Sequence, residues 1–333
     1  IKCKDGSQVT LCGSGSRTVN ANGKNGIKSG ATTDEEGEAW LVIRDLTLTI
    51  SAPVNDAINA EASLTILSGD LTIDAGDDAV HSDYYLTVGA AGTDGPTITV
   101  NSCNEGLEAA DLSIAGGNIT IHAGDDCLNA ANSDLTGYAF TLSISGGTLV
   151  MDTTSGDGID SNGTVSMSGG TLVVFGPTSN RDGALDYDIS FAMCGGTLIA
   201  LGSRGMAQAP STLSQPCLSV YNKVGAGSTI EVRNADGADI ISTVTPKDCE
   251  SLIFSTKDFL PGSSYSIYAD DTLLTTITAT DGVSGGGASG SGSGTWNQDG
   301  GSWVRSDSGF GSNKDFTHPD RPADISATSE PIA

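Results

Sequence analysis

The chain has 333 residues, a net charge of −26, 45 glycines and only 5% aromatic residues. This negative charge excludes nucleic acid and anionic membranes as direct partners, because both require a basic surface. No apolar run is long enough to cross a bilayer, so the sequence also excludes membrane insertion. Short alternating runs of Thr, Ser, Val, Ile and Leu favour strands over helices.

The first part of the chain, to about Gly205, repeats a short phrase. In each copy, one or two acidic or amide residues precede a small residue, an aliphatic residue and a further polar residue. Copies follow one another every 21 to 31 residues. The aliphatic residues of successive copies are Ile27, Ile58, Val80, Leu107, Leu128, Ile159 and Leu185. A repeat of this length with short strands is typical of a solenoid.

A second phrase between these copies contains two apolar strands that meet at a glycine pair. Residues 142–150 show it, with Gly146 and Gly147 at the corner. Glycine suits such a corner because positive φ costs it little. One repeat cannot bury its apolar face alone, whereas stacked repeats share a core. We therefore predict an all-β fold in which residues 1–210 form a parallel β-helix with coils ~4.8 Å apart.

Stacking would place equivalent polar residues in columns on the outside, and several of these columns are acidic. Like charges at this spacing repel by ~1 kcal/mol or more, so the columns need compensating cations. Ca²⁺ takes carboxylate and backbone oxygens in irregular geometry, so we predict Ca²⁺ on at least one coil. The candidate ligands are Asp56, Asp77, Asp78, Glu105, Asp125, Asp126, Asp157 and Asp160. A solvated acidic face with ordinary Asx turns is the alternative.

The histidines and cysteines give no zinc pattern. His81 and His122 do not form a convincing transition-metal set, and no Cys/His pair has zinc spacing. Seven cysteines are many for a cytosolic protein without a metal pattern. The candidate disulfides are Cys3 with Cys12, Cys103 with Cys127 and Cys217 with Cys249, which leaves Cys194 over. Buried free thiols are the alternative.

The repeats also contain candidate contacts to a glycan. Lys28 and His81 share the column that follows the aliphatic residue. Tyr84 and Tyr85 offer ring faces on which a sugar can stack, and a core or turn role is the alternative for both.

The end of the chain has a different composition. Residues 211–282 contain short strands and turn signals, which predict a small antiparallel β cap on the solenoid. Residues 283–333 begin with a Gly/Ser-rich stretch that predicts a flexible linker. The tail that follows contains Trp296, Trp303 and Phe310, which suit docking onto the solenoid or onto another subunit. At the other end, Ile1 aligns with the middle of a repeat, so either an upstream segment is missing or an open end pairs with another molecule.

The phrases at residues 23–29 and 75–83, together with the cap phrase at residues 252–268, resemble a family of secreted bacterial carbohydrate-binding proteins. The resemblance covers roughly residues 1–281. It implies a right-handed parallel β-helix, similar to pectate-lyase-type folds, with bound Ca²⁺. It also implies binding of cellulose and acidic sugars without established catalysis. The cysteines, the tail and an apparently missing N-terminal portion depart from that family.

We therefore predict a secreted, extracellular or cell-surface protein that binds polysaccharide, such as cellulose or polygalacturonate, with the help of Ca²⁺. The first alternative is a subunit of a filament or surface layer, a homopolymer assembled head to tail through open β-helix ends and the tail. The second is a polysaccharide lyase, which needs a basic residue near the sugar. Basic residues are few in the repeats, so we predict no enzyme activity.

Overall fold

A computed structural model describes residues 1–30 and 39–288, together with the backbone of residues 296–298 and 301–303. These residues form strands and turns, with no helix among them. The described part of the chain therefore has no helix that could span a membrane. The residues group into two compact units, Ile1–Ser293 and Gly294–Ala333.

Most strands of the first unit belong to one sheet of 22 strands, paired mainly in parallel. Each strand pairs with the equivalent strand of the next repeat, which divides the sheet into three ladders. The first ladder runs through Gln8–Cys12, Trp40–Arg44, Ser63–Ile66, Val80–Val88, Leu107–Ile114, Thr141–Ile144, Thr164–Phe175, Ser190–Gly202 and Thr212–Leu213. The second runs through Ser16–Asn20, Thr47–Ala52, Asp70–Ala75, Thr97–Cys103, Asn118–Ala123, Thr148–Thr153 and the later halves of Thr164–Phe175 and Ser190–Gly202. The third runs through Ile27–Lys28, Ile58–Ala60, the first residues of Val80–Val88 and Leu107–Ile114, then Leu128–Ala130 and Ile159–Ser161.

The aliphatic residues of the repeated phrase lie side by side on the third ladder. Each is 0% exposed, and each aligns with its equivalent in the next repeat, from Ile27 to Leu185. Apolar residues of the other two ladders join them in one continuous core. The repeat alignment predicted from the sequence is therefore confirmed at this column. The all-β fold and the parallel sheet are confirmed as well, and three ladders around one core are consistent with a solenoid.

The second ladder ends against antiparallel strands. Cys249–Thr256 pairs antiparallel with residues 197–202 and with Cys217–Val224. A separate sheet contains, in spatial order, Asp239–Val244, Thr229–Arg233, Ser264–Ala269 and Thr272–Thr278, and all its pairings are antiparallel. The apolar side of this sheet packs against residues at the end of the second ladder that point away from the first core, such as Ile199 and Leu201. Together they form a second hydrophobic core. The region thus has the antiparallel character that its sequence predicts.

The segment with linker composition contains a strand. Val283–Gly285 pairs in parallel with residues 217–219, and Ser284 and Ala288 are buried. Gly285 has a φ of 112°, and a Cβ there would clash with the backbone carbonyl of Ser219. Glycine is therefore needed for close packing at this position, whereas composition alone suggests flexibility. In the second unit, Trp296–Gln298 pairs with Gly301–Trp303 as a hairpin, and Phe310 lies outside the described residues.

All seven cysteines are free thiols, so none of the three expected disulfides is formed. Strand register explains one case: Cys217 aligns with Ser255, whereas Cys249 aligns with Val224 at the other end of the same antiparallel pair. Burial raises the pKa of Cys103 to about 12, which keeps this thiol protonated at neutral pH.

The glycine pairs at the corners predict a measurable dependence on close packing between coils. Gly147 has a φ of 91°, and a Cβ there would lie 2.8 Å from the carbonyl oxygen of Gly117 on the preceding coil. Gly137 also has a positive φ, of 76°, but a Cβ there would meet no atom within 4 Å. We expect Gly137→Ala to lower the free energy of unfolding by ~1 kcal/mol. Gly147→Ala should cost a further ~1–3 kcal/mol through overpacking. Urea unfolding of the two variants measures the difference, and equal losses would contradict a tight contact between coils.

Candidate cation and carbohydrate site

The acidic columns lie at the corner where the second ladder passes into the third. Backbone hydrogen bonds from coil to coil fix this corner: Ala57 N–H donates to the carbonyl of Asp78, and Ala79 N–H donates to that of Glu105, both at 2.9 Å. Gly106 N–H donates to the carbonyl of Asp126 at 2.8 Å in the same way. Because the same bond recurs from coil to coil with the same offset, it keeps the coils in register, and the side chains two positions before each buried aliphatic residue must stack.

Many of the stacked carboxyl groups are withdrawn from water. Asp56, Asp78 and Asp157 are buried. Burial, followed by repulsion from neighbouring carboxylates, raises the pKa of Asp126 to about 8 against an ordinary value of 3.8. The same causes raise the pKa of Asp160 to about 7. Burial is also the main cause that raises the pKa of Asp157 to about 8.

The early coils contain their own hydrogen-bond donors and positive charges. Lys28 Nζ lies 2.5 Å from Glu61 Oε1, so this lysine forms an ion pair with a neighbouring coil. Asn25 and Asn59 donate from their Nδ2 atoms to Asp56 Oδ2, at 3.0 and 2.7 Å. Asp56 is therefore held by amides even though burial raises its pKa.

His81 carries a positive charge at the next coil. Its Nδ1 lies 2.7 Å from Glu108 Oε2 and 3.2 Å from Asp78 Oδ2, and its Nε2 lies 2.9 Å from Asp83 Oδ1. Burial by itself would lower the pKa of His81, but hydrogen bonds to these three carboxylates outweigh it and raise the pKa to about 12. Both ring nitrogens are thus engaged with carboxylates.

The carboxylates of the later coils have hydrogen-bond donors but no paired positive charge. Within the described residues, no Lys, Arg or His forms an ion pair with Glu105, Asp126, Asp157 or Asp160. Asn129 donates to Glu105 Oε2 at 2.7 Å, but Asn129 is only 6% exposed and its Oδ1 has no hydrogen-bond partner in the described chain. We call Glu105, Asp126, Asn129, Asp157 and Asp160 the acidic cluster.

Two further observations show how tightly oxygens converge at the acidic cluster. A Cβ on Gly156 would clash with an Oδ1 atom of both Asp125 and Asp126, so only glycine leaves room for these carboxylates. Asp126 Oδ1 also accepts a hydrogen bond from the backbone N–H of Asp157 at 2.6 Å. The atoms of the acidic cluster that could bind a metal ion are all carboxylate or amide oxygens, and Ca²⁺ prefers oxygen ligands of this kind. These oxygens match the ligand type that calcium takes, although among the described residues the group with three ligand atoms within 4.8 Å of one another is Asp78, His81 and Glu108 and not one in the acidic cluster.

The structure divides the eight predicted ligands into three groups. Asp56 and Asp78 lie where amides or His81 already compensate their charge. Glu105, Asp126, Asp157 and Asp160 belong to the acidic cluster. Asp77 and Asp125 are exposed at the outer side of the turn.

Two acidic residues beside His81 were not among the predicted site residues. Glu108 occupies the same repeat position as His81, and the two residues are in register. That equivalence is the sequence signal that would have selected Glu108. Asp83 lies two residues after His81, where the register of Val80–Val88 against Leu107–Ile114 shifts, and no repeat position marks it.

A group of aromatic side chains lies at the strand that contains His81, Val80–Val88. The ring centroids of Tyr84 and Tyr138 are 6.4 Å apart, and those of Tyr138 and Phe140 are 5.6 Å apart. Asn132 ties their loop to the coil by donating to the backbone carbonyl of Asp83 at 2.9 Å. Tyr85 is buried, whereas the other three rings are half-buried. We call Tyr84, Tyr138 and Phe140 the aromatic group; the last two come from a long loop between ladders that the repeat pattern does not predict.

The raised pKa values predict how stability depends on pH without calcium. The clustered carboxyls keep their protons in the folded chain up to pH values of about 7 to 8, but lose them near 3.8 when unfolded. The folded state therefore binds more protons in this window, and stability must fall as pH rises. We expect metal-free protein to lose at least ~2 kcal/mol between about pH 5 and pH 8.

Thermal unfolding in EDTA at the two pH values measures this loss. Asp157→Asn, which removes one of the titrating groups, should reduce the slope. Added Ca²⁺ should raise the melting temperature more at the higher pH, because protons compete with it at the lower one. Equal stability at both pH values would contradict the burial of these charges.

Comparison with known proteins identifies the family. The family described as "Carbohydrate-binding domain-containing protein" matches residues 5–183 and, in a second alignment, residues 91–238. The overlap of the two matches is expected for a chain of similar repeats. No curated protein and no solved structure matches the chain. Since the matches together extend over most of the sequence, the chain belongs to the carbohydrate-binding domain-containing family.

Proposed function

We propose that this protein is a secreted, non-catalytic polysaccharide-binding protein whose repeats coil into a right-handed β-helix and hold Ca²⁺ at the acidic cluster. The observation that carries the calcium proposal is the buried Oδ1 of Asn129, which has no partner in the described chain and lies among carboxylates without a basic counter-charge. Membership of the carbohydrate-binding domain-containing family supports the proposal that the ligand is a polysaccharide. Such polymers lie outside the cell, so we propose an extracellular or cell-surface location.

The charge of the chain decides how an acidic glycan could bind. A net charge of −26 repels a polyuronate such as polygalacturonate. Calcium would supply positive charge between the carboxylates of the protein and those of the sugar. The protein's own carboxylates fix the ion at the corner, because Asp126 and Asp157 are held by backbone N–H donors at 2.6 and 2.5 Å. Binding of an acidic glycan should therefore require calcium.

A neutral glycan such as cellulose would use other contacts. The aromatic group offers half-buried ring faces at Val80–Val88, the strand that contains His81. Sugar rings present C–H groups to such faces, and this contact needs no counter-charge. The two glycan classes would thus differ in their calcium requirement.

Binding to insoluble glycans tests this proposal. We expect pectate beads to remove the protein from solution in Ca²⁺ but not in EDTA, and cellulose to retain it in both. Asp157→Asn should weaken pectate binding at least ~10-fold, because it removes one ligand charge while keeping the side-chain size. The matched control is Asp94→Asn, because Asp94 is exposed in the turn between Val80–Val88 and Thr97–Cys103 and is not part of the acidic cluster.

Each result bears on a different part of the proposal. Pectate retention in EDTA would contradict the calcium requirement, and retention of neither glycan would overturn polysaccharide binding. Replacing Tyr138 by Ala should reduce retention on cellulose and leave calcium-dependent retention on pectate in place.

A non-catalytic role is supported by the placement of the basic residues. A lyase of this kind needs a free Lys or Arg near the bound sugar. Lys28 is the basic residue that shares a column with the acidic ladder, and it is paired with Glu61. The amine of Lys28 is thus engaged by a carboxylate of the protein itself rather than free to contact a sugar.

Assembly into a filament is the second candidate, and one observation favours it. Among the described residues, Gln8–Cys12 and Ser16–Asn20 each pair with a later strand and with no other. Their other edges have unpaired backbone groups that another strand could extend. We expect electron microscopy of concentrated protein in Ca²⁺ to show filaments if a second copy binds there. Single particles at every concentration would contradict this candidate.

A further inference from the structure

The contacts of His81 are not explained by glycan or calcium binding. His81 and Glu108 are in register on neighbouring coils of the third ladder, and Asp78 lies at the corner of the same coil as His81. One ligand atom from each of these residues lies within 4.8 Å of the other two. The group thus contains an imidazole nitrogen, which distinguishes it from the all-oxygen acidic cluster.

The distances suit a small divalent ion. Nδ1 of His81 lies 2.7 Å from Glu108 Oε2 and 3.2 Å from Asp78 Oδ2. Zinc binds nitrogen and oxygen ligands at ~2.0–2.2 Å, which places neighbouring ligands of a tetrahedral site ~3.3 Å apart. An ion could therefore replace the proton on Nδ1 with a small widening of the group.

Asp83 orients the imidazole from the opposite side. Its Oδ1 lies 2.9 Å from Nε2, so Nε2 carries a proton and Nδ1 faces the two other carboxylates. Histidines that bind metals commonly donate their second ring N–H to a carboxylate in this manner, which fixes the ring and makes the ligand nitrogen more basic. Asp83 is not one of the three ligands and thus acts as a positioning residue.

The site is enclosed but reachable. The side chains of Asp78, His81 and Glu108 are 12%, 18% and 16% exposed. Solvent can therefore enter, and a fourth position remains for water or a ligand oxygen. Imidazole with carboxylates suits zinc and similar transition metals, whereas calcium takes oxygen ligands alone.

We propose that Asp78, His81 and Glu108 form a binding site for a divalent transition-metal ion of the Zn²⁺ class, with Asp83 orienting His81. The ion links two consecutive coils, because Asp78 and His81 belong to one coil and Glu108 belongs to the next. Binding displaces the ring proton that Asp78 and Glu108 share in the metal-free chain. The site shares no ligand residue with the acidic cluster, so it can be tested without any glycan.

Calorimetric titration of the full chain with Zn²⁺ tests the proposal, with Ca²⁺ present in excess to occupy oxygen-only sites. We expect one Zn²⁺ per chain. His81→Asn should abolish this binding, and Asp83→Asn should weaken it ~10–100-fold. The matched control is His122→Asn: its ring is largely exposed beside Asp152, and its loss should leave the affinity unchanged.

Co²⁺ provides a second readout, because its visible absorption reports coordination by nitrogen and oxygen at a site of low symmetry. The band should appear with the unaltered chain and with His122→Asn, and should be absent with His81→Asn. If His81→Asn does not fold, the reduced affinity of Asp83→Asn decides, since that variant keeps all three ligands. Absence of Zn²⁺ binding at millimolar concentration, or full binding by His81→Asn, would overturn the proposal.

Discussion

The backbone hydrogen bonds that repeat from coil to coil and keep equivalent residues in register are the constraint on which the structure depends. At the corner before the third ladder, the residue that precedes each aliphatic position from Ile27 to Leu128 donates its backbone N–H to the backbone carbonyl of an acidic residue on the next coil. The buried aliphatic residues then align, and the carboxylates beside them must align as well. The acidic face is therefore a consequence of the register that builds the core, and its repulsion has to be compensated locally.

Compensation differs along this face. The first coils use Lys28, the amides of Asn25 and Asn59, and the imidazolium of His81. After Glu105 the column offers amides without a basic side chain, and burial together with repulsion between carboxylates raises the pKa of Asp126 and Asp157. One structural repeat thus provides two chemical environments: a nitrogen-containing group near the start and an oxygen-only group further along. This division is the reason for assigning different ions to the two places.

The antiparallel end also supports the acidic corner. Lys247, from the turn before Cys249–Thr256, reaches back to the second ladder, where its Nζ lies 2.5 Å from Asp152 Oδ1 and also donates to the backbone carbonyl of Thr153. Thr153 in turn donates from its hydroxyl to the carbonyls of Asp125 and Gly156. The antiparallel region therefore fixes the backbone around Gly156, which lies next to the carboxylates of Asp125 and Asp126. In this way it links the end of the sheet to the candidate site.

The sequence by itself determined the all-β class, the repeat alignment, the buried aliphatic column and the acidic columns beside it, because each depends on a pattern with a fixed period. It could not determine which carboxylates share an ion, since that depends on burial and on donors from neighbouring coils, such as Asn129. Nor could it find Asp83, Phe140 or the strand Val283–Gly285, which have no repeat equivalent. The expected disulfides fail for the same reason: cysteine count carries no register, and only the tertiary structure decides which strand ends meet.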